Sequence, residues 1–146
     1  MDAPICRMAV SKNSLIVCQT NGHVTVLSQD LQETLIHSQS PSTISKVLHA
    51  EVSIGDTNAR VCIVAELPDA TITAFVHTLR QEGEFIQLDT VTQVVISTDV
   101  SLGLPRSFSY NGRQLCVACR LFVTQPGLHF QTTRWLSRLF LSRLKV

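Results

Sequence analysis

Residues 15–27 read LIVCQTNGHVTVL: an apolar run, Leu15-Ile-Val-Cys18, then Asn21-Gly22, then the return run His23-Val-Thr-Val-Leu27. Asn-Gly between two such runs is the strongest short hairpin signal, because both residues tolerate positive φ. Val24 and Val26 alternate with polar neighbours, the period of a half-buried strand. Working outward, Ile5-Cys-Arg-Met-Ala-Val10 precedes the hairpin across the polar turn Ser11–Ser14. Glu33-Thr-Leu-Ile-His37 follows it across Gln29–Gln32. Short strands in direct succession predict an antiparallel meander.

The same grammar then recurs. Ile44–Ile54 predicts one strand, Gly55–Asn58 a turn, and Arg60-Val-Cys-Ile-Val-Ala65 the next strand. After Glu66-Leu-Pro-Asp69, the run Ala70-Thr-Ile-Thr-Ala-Phe-Val-His77 continues to Leu79, and Glu84-Phe-Ile-Gln-Leu-Asp89 follows Gln81-Glu-Gly83. A third unit begins at Gln93-Val-Val-Ile-Ser97, passes Leu104–Phe108, turns at Asn111-Gly112 and enters Gln114-Leu-Cys-Val-Ala-Cys119. Repetition of strand groups at a period of about 40 to 50 residues is the signature of propeller blades. The fold class predicted is all-β: a partial β-propeller of about two and a half four-stranded, WD40-like blades over residues 1–120, with a short C-terminal helix in a basic amphipathic tail over 121–146. Blades bury their faces against neighbouring blades, so an incomplete ring leaves apolar faces exposed. Such a fragment forms an open stack, or its exposed blade edge needs more chain or a partner.

The runs Ile5–Gln19, Leu31–Ser38, Ile44–Asp56, Val61–Glu66, Ala70–Phe75 and Leu104-Pro-Arg-Ser107 followed by Gln114-Leu-Cys-Val-Ala-Cys119 carry a family resemblance. In spacing and hydrophobic pattern they resemble the second propeller of the family of UV-damaged DNA-binding protein 1 and the cleavage and polyadenylation factor A subunit. The resemblance covers most of residues 5–120 and is most specific at PRS…LCVAC. It implies a non-catalytic scaffold for protein binding, either as an adaptor in a ubiquitin ligase complex for DNA repair or in mRNA processing. It also implies cullin-type or processing-complex partners, nucleic acid binding only through such complexes, and a nuclear location with the cytoplasm second. Family members are several times longer. They also continue the CVAC strand into a Gly-Asp-Gly-type turn, where this chain reads Arg120-Leu-Phe-Val-Thr-Gln-Pro-Gly127.

The residues themselves show no catalytic constellation. Cys116 and Cys119 have knuckle spacing, but three apart in a strand they fall on opposite faces, whereas a metal knuckle converges from a turn. His23, His37, His49, His77 and His129 are dispersed without an HxH or HxxxH pair, and spacing alone brings no two together. There is no GxSxG elbow and no glycine-rich phosphate loop. Asp30, Asp56, Asp69 and Glu82 sit at turns, where carboxylates cap local backbone. No enzyme activity, metal or cofactor is expected. Cys6, Cys18 and Cys62 lie with the CVAC pair in apolar runs, which predicts buried free thiols in place of a disulfide frame. No signal peptide and no membrane-spanning helix are expected.

At 146 residues and 45% hydrophobic, the chain is long and apolar enough for one folded core. Its charge is unevenly placed. Residues 1–99 hold 5 basic and 11 acidic side chains, whereas residues 100–146 hold 7 basic and none acidic. In the tail, Leu136, Leu139, Phe140 and Leu144 follow helical spacing, and Arg134, Trp135, Arg138, Phe140, Arg143 and Lys145 are the candidate contact residues. A cationic amphipathic helix suits an anionic membrane, nucleic acid or a partner groove. The alternatives are a helix covering the blade edge, or a tail from another exon or reading frame on a truncated isoform without independent function.

Overall fold

The computed structural model describes residues 3–83, 85–97, 104–124, 131–136 and 142–143. β1 (Ile5–Ser11), β2 (Ser14–Gln19), β3 (Val24–Ser28) and β4 (Thr34–Ser38) pair antiparallel in chain order and form the first sheet. β5 (Lys46–Ile54), β6 (Asn58–Glu66), β7 (Ile72–Glu82) and β8 (Phe85–Ser97) repeat that topology in the second. In the third, β10 (Gln114–Thr124) pairs with β9 (Leu104–Tyr110) on one edge and with β11 (Gln131–Leu136) and β12 (Ser142–Arg143) on the other. The architecture is all-β and antiparallel, and among the described residues no sheet closes on itself.

The sheets stack face to face because alternate positions on the strands are apolar. Ile16, Cys18, Val24 and Val26 of the first sheet meet Ala59, Val61, Ile63 and Leu79 of the second in one dry cluster. The intervening residues of the same strands, Cys62, Val64, Ala74 and Val76, turn to the other face and meet Tyr110 and Leu115 of the third sheet. The second sheet is therefore apolar on both faces and forms the middle layer. β1 lies against β5, β5 against β9, and β4 against β8, so corresponding strands of successive sheets adjoin.

Three hairpin turns share one device. Gly22 donates its N–H to the Gln19 carbonyl, Leu31 to Ser28, and Ala70 to Leu67, each at 2.9 Å. Each donor sits at positive φ: 80°, 62° and 66°. At the Asn21-Gly22 turn only the glycine uses positive φ. Asn21 contributes its side chain instead, with Oδ1 accepting from the His23 N–H at 3.1 Å. A Cβ at Gly22 would fall 2.1 Å from Ile44 Cδ1, so glycine is needed there for space as well.

The structure corrects two readings of the sequence. The sequence puts 84–89 and 93–97 in separate units, but β8 runs unbroken from Phe85 to Ser97. Nothing between Asp89 and Gln93 breaks a strand, and irregularities at Asp89 and Ile96 absorb the length mismatch with β7. The C-terminal helix is the second correction. Among the described residues there is no helix, and Gln131–Leu136 and Ser142–Arg143 are strands on β10. Thr132, Thr133 and Trp135 favour pleated backbone, and β10 from Cys119 to Thr124 offers a row of ladder groups that an isolated short helix could not satisfy.

Candidate interaction surface

The register of the first sheet fixes what its outer face presents. Val10 lies opposite Leu15 and Leu15 opposite Leu27, while Met8 lies opposite Val17, Val17 opposite Thr25, and Thr25 opposite His37. These positions alternate with the residues that enter the core against the second sheet, so they face the other way. Val10 is 71% and Met8 57% exposed, and Leu15 and Leu27 are half-buried beside them. The outer face thus has an apolar half at the end bearing Val10 and Leu27.

Its other half is polar. Gln19, Asn21, His23, Thr25, Thr34, His37 and Gln39 line a cleft of about 390 Å³. The β3–β4 pairing brings together two histidines that sequence spacing left apart, with ring centroids 5.3 Å apart and planes at 85°. Asn21 Oδ1 is committed to the His23 N–H, which leaves its amide nitrogen to donate to His23 Nδ1 at 3.2 Å. That arrangement places the neutral ring proton of His23 on Nε2, making this nitrogen a donor. His37 Nδ1 meets Thr25 Oγ1 at 3.0 Å. The cleft can exchange hydrogen bonds with a polar partner beside the apolar rows. The signal for it was the hairpin register, which places His37 across from Thr25.

Two other sets of polar groups join the sheets to one another. Ser38 Oγ and His77 Nδ1 meet at 2.7 Å between the first and second sheets, with both side chains buried. Burial, and then the neighbouring His23, pushes the His77 pKa down to about 4. The spacing suits a nucleophile and base, but Ser38 is buried, and among the described residues no hydrogen-bond partner holds His77 Nε2. Between the second and third sheets, Glu51 accepts from the Tyr110 N–H and Arg60 Nη1 donates to the Gly112 carbonyl. Burial, followed by Cys62, raises the Tyr110 phenol to about 12.

Other expected sites resolve in simple terms. Cys18 and Cys62 are buried thiols whose pKa values burial raises to about 12. Cys6 is exposed, in contrast to the expectation, because an irregularity in the β1–β2 register at this position takes it out of the alternation. Cys116-Val-Ala-Cys119 lies within continuous β10, opposite Ser109 to Pro105, with no turn between the cysteines. Among the described residues no three His, Cys, Asp or Glu side chains converge as a metal site. Asp30 and Asp69 cap their turns: hydroxyl hydrogen bonds from Ser28 and Thr71, then backbone N–H groups, hold their carboxyls below the usual range. Of the tail candidates, Arg134 and Trp135 stand on β11 and Arg143 on β12. Arg138, Phe140 and Lys145 lie outside the described residues, as does His129. Among the described residues no helix is long and apolar enough to cross a membrane.

In comparisons with known proteins, no family model, no curated protein and no solved structure matches this chain.

Proposed function

We propose that this chain is a non-catalytic protein-interaction scaffold: an arc of a β-propeller whose first sheet offers its outer face to a partner protein. The observation that carries the reading is the exposure of Met8 and Val10 on the face of the first sheet opposite its core cluster. Stacked meanders with corresponding strands adjoining are the arrangement that blades adopt, and a blade face left open is an apolar surface awaiting cover. The neighbouring His23–His37 cleft supplies polar groups to fix orientation, as the rim of a protein interface does. The sequence resemblance directs the choice of partner toward a cullin-type ligase subunit or a subunit of an RNA-processing complex, in the nucleus.

The test is calorimetric titration of the purified chain with a cullin N-terminal domain and with processing-complex subunits, using wild type, Val10→Asp and Met8→Lys. Both side chains are exposed, so both variants keep the fold, which circular dichroism checks. Burying a charge at a docked apolar face weakens binding by at least about tenfold. Absence of binding by the wild type, or equal affinity in all three proteins, rejects the reading.

A further inference from the structure

The middle sheet ends in a strand whose outer edge pairs with no other strand among the described residues. β8 is the last strand in the order β5-β6-β7-β8, and its 13 residues make it the longest described. The direction of its backbone groups follows from the ladder. Gln81 donates its N–H to the Thr57 carbonyl, so on β7 the groups of Leu79, His77, Phe75 and Thr73 also point toward β6. Those of Arg80, Thr78, Val76 and Ala74 then point toward β8, where they meet Gln87, Thr90, Thr92 and Val94. Val91, Gln93 and Val95 of β8 therefore direct their N–H and C=O groups away from the sheet.

These outward groups are self-complementary. We propose that two copies of this chain pair β8 to β8 antiparallel, with Gln93 on the two-fold axis, so that their middle sheets join into one. In that register Gln93 faces its symmetry mate, and Val91 of each copy faces Val95 of the other. Every one of these is a narrow pair that exchanges both N–H···O bonds. Thr92 faces Val94, and Asp89 faces the uncharged position 97, so no like charges meet. The stretch 90–96, TVTQVVI, has no charge and no proline, two of the devices by which exposed edges repel each other. The irregularities at Asp89 and Ile96 lie on either side of the regular ladder Thr90–Val95, which holds the proposed pairs. Val95 is 54% exposed, so pairing buries apolar surface that the single copy leaves in water. An isologous contact closes on itself and yields a dimer, not a fibre.

Sedimentation of the full chain tests this. The wild type is expected to be a dimer in reversible exchange with monomer. Gln93→Pro removes an N–H that bonds nothing within its own sheet, so the fold survives while dimer affinity falls by at least about tenfold. Val95→Lys, which adds an edge charge, produces the same loss. For weak pairing, Gln93→Cys in a Cys6→Ser background gives a second readout. Narrow-pair Cα atoms lie about 5.5 Å apart, within disulfide reach, so mild oxidation forms a dimer linked at position 93. A wild type that sediments as a monomer at its highest soluble concentration and gives no such cross-link overturns the proposal. So does a dimer unaffected by Gln93→Pro.

Discussion

Taking the solution from pH 7 to pH 5 protonates the imidazole of His77 in the unfolded chain but not in the folded one, and the difference is a measurable loss of stability. The ordinary histidine pKa is about 6.5, whereas burial between the first two sheets lowers that of His77 to about 4. Between those values the unfolded chain binds a proton that the folded chain refuses, so stability rises with pH across this window. It is complete above about 6.5 and falls as pH drops toward 4. At pH 5 the cost is about 2 kcal/mol, growing to about 3 at pH 4, where the folded ring also charges and the loss levels off. Urea unfolding of wild type and His77→Gln at pH 7, 6 and 5 isolates the contribution from those of other groups. At pH 7 the variant is the less stable by roughly 1–3 kcal/mol through its disturbed bond to Ser38. That gap should shrink by about 2 kcal/mol at pH 5, because glutamine does not titrate. A gap that stays constant from pH 7 to pH 5 would refute the argument that His77 is folded in its neutral form.

Gly22→Ala should lower unfolding free energy by about 1–2 kcal/mol, through positive φ and the approach of Ile44, as read by denaturant unfolding. Ala70→Gly should do the opposite, adding about 0.5 kcal/mol and raising the thermal midpoint, since Ala70 already occupies a left-handed conformation. Pulse alkylation with peptide mapping should label Cys6 in the native chain while sparing Cys18 and Cys62, whose thiols burial holds near 12 until unfolding exposes them.

The meanders were legible because strand alternation and turn residues act locally. Val24 and Val26 announce a buried face, and Asn21-Gly22 announces a reversal, even though Asn21 works through its side chain and not its φ. Turns that place Leu31 and Ala70 at positive φ carry no glycine to mark their conformation, so sequence located them only by their polar neighbours. The unity of β8 was hidden because its irregularities at Asp89 and Ile96 need no special residue. The tail misled for a different reason. Its apolar spacing fits a helix, but the open edge of β10 imposes a competing ladder that no local pattern contains. The same limit applies to the surface. Met8 and Val10 look like core residues until the stack shows them exposed on the side away from the second sheet, and His23 and His37 meet only through the register of β3 with β4.

The most direct test of the scaffold reading is hydroxyl-radical footprinting at Met8, with and without a saturating cullin N-terminal domain or processing-complex subunit. Met8 is exposed and readily oxidised in the free chain. Docking on the outer face of the first sheet predicts that its oxidation rate falls several-fold in the complex, while an exposed residue away from that face, Phe85, is modified at an unchanged rate. Equal oxidation of Met8 in the free and bound chains would contradict the assignment of this face as the docking surface.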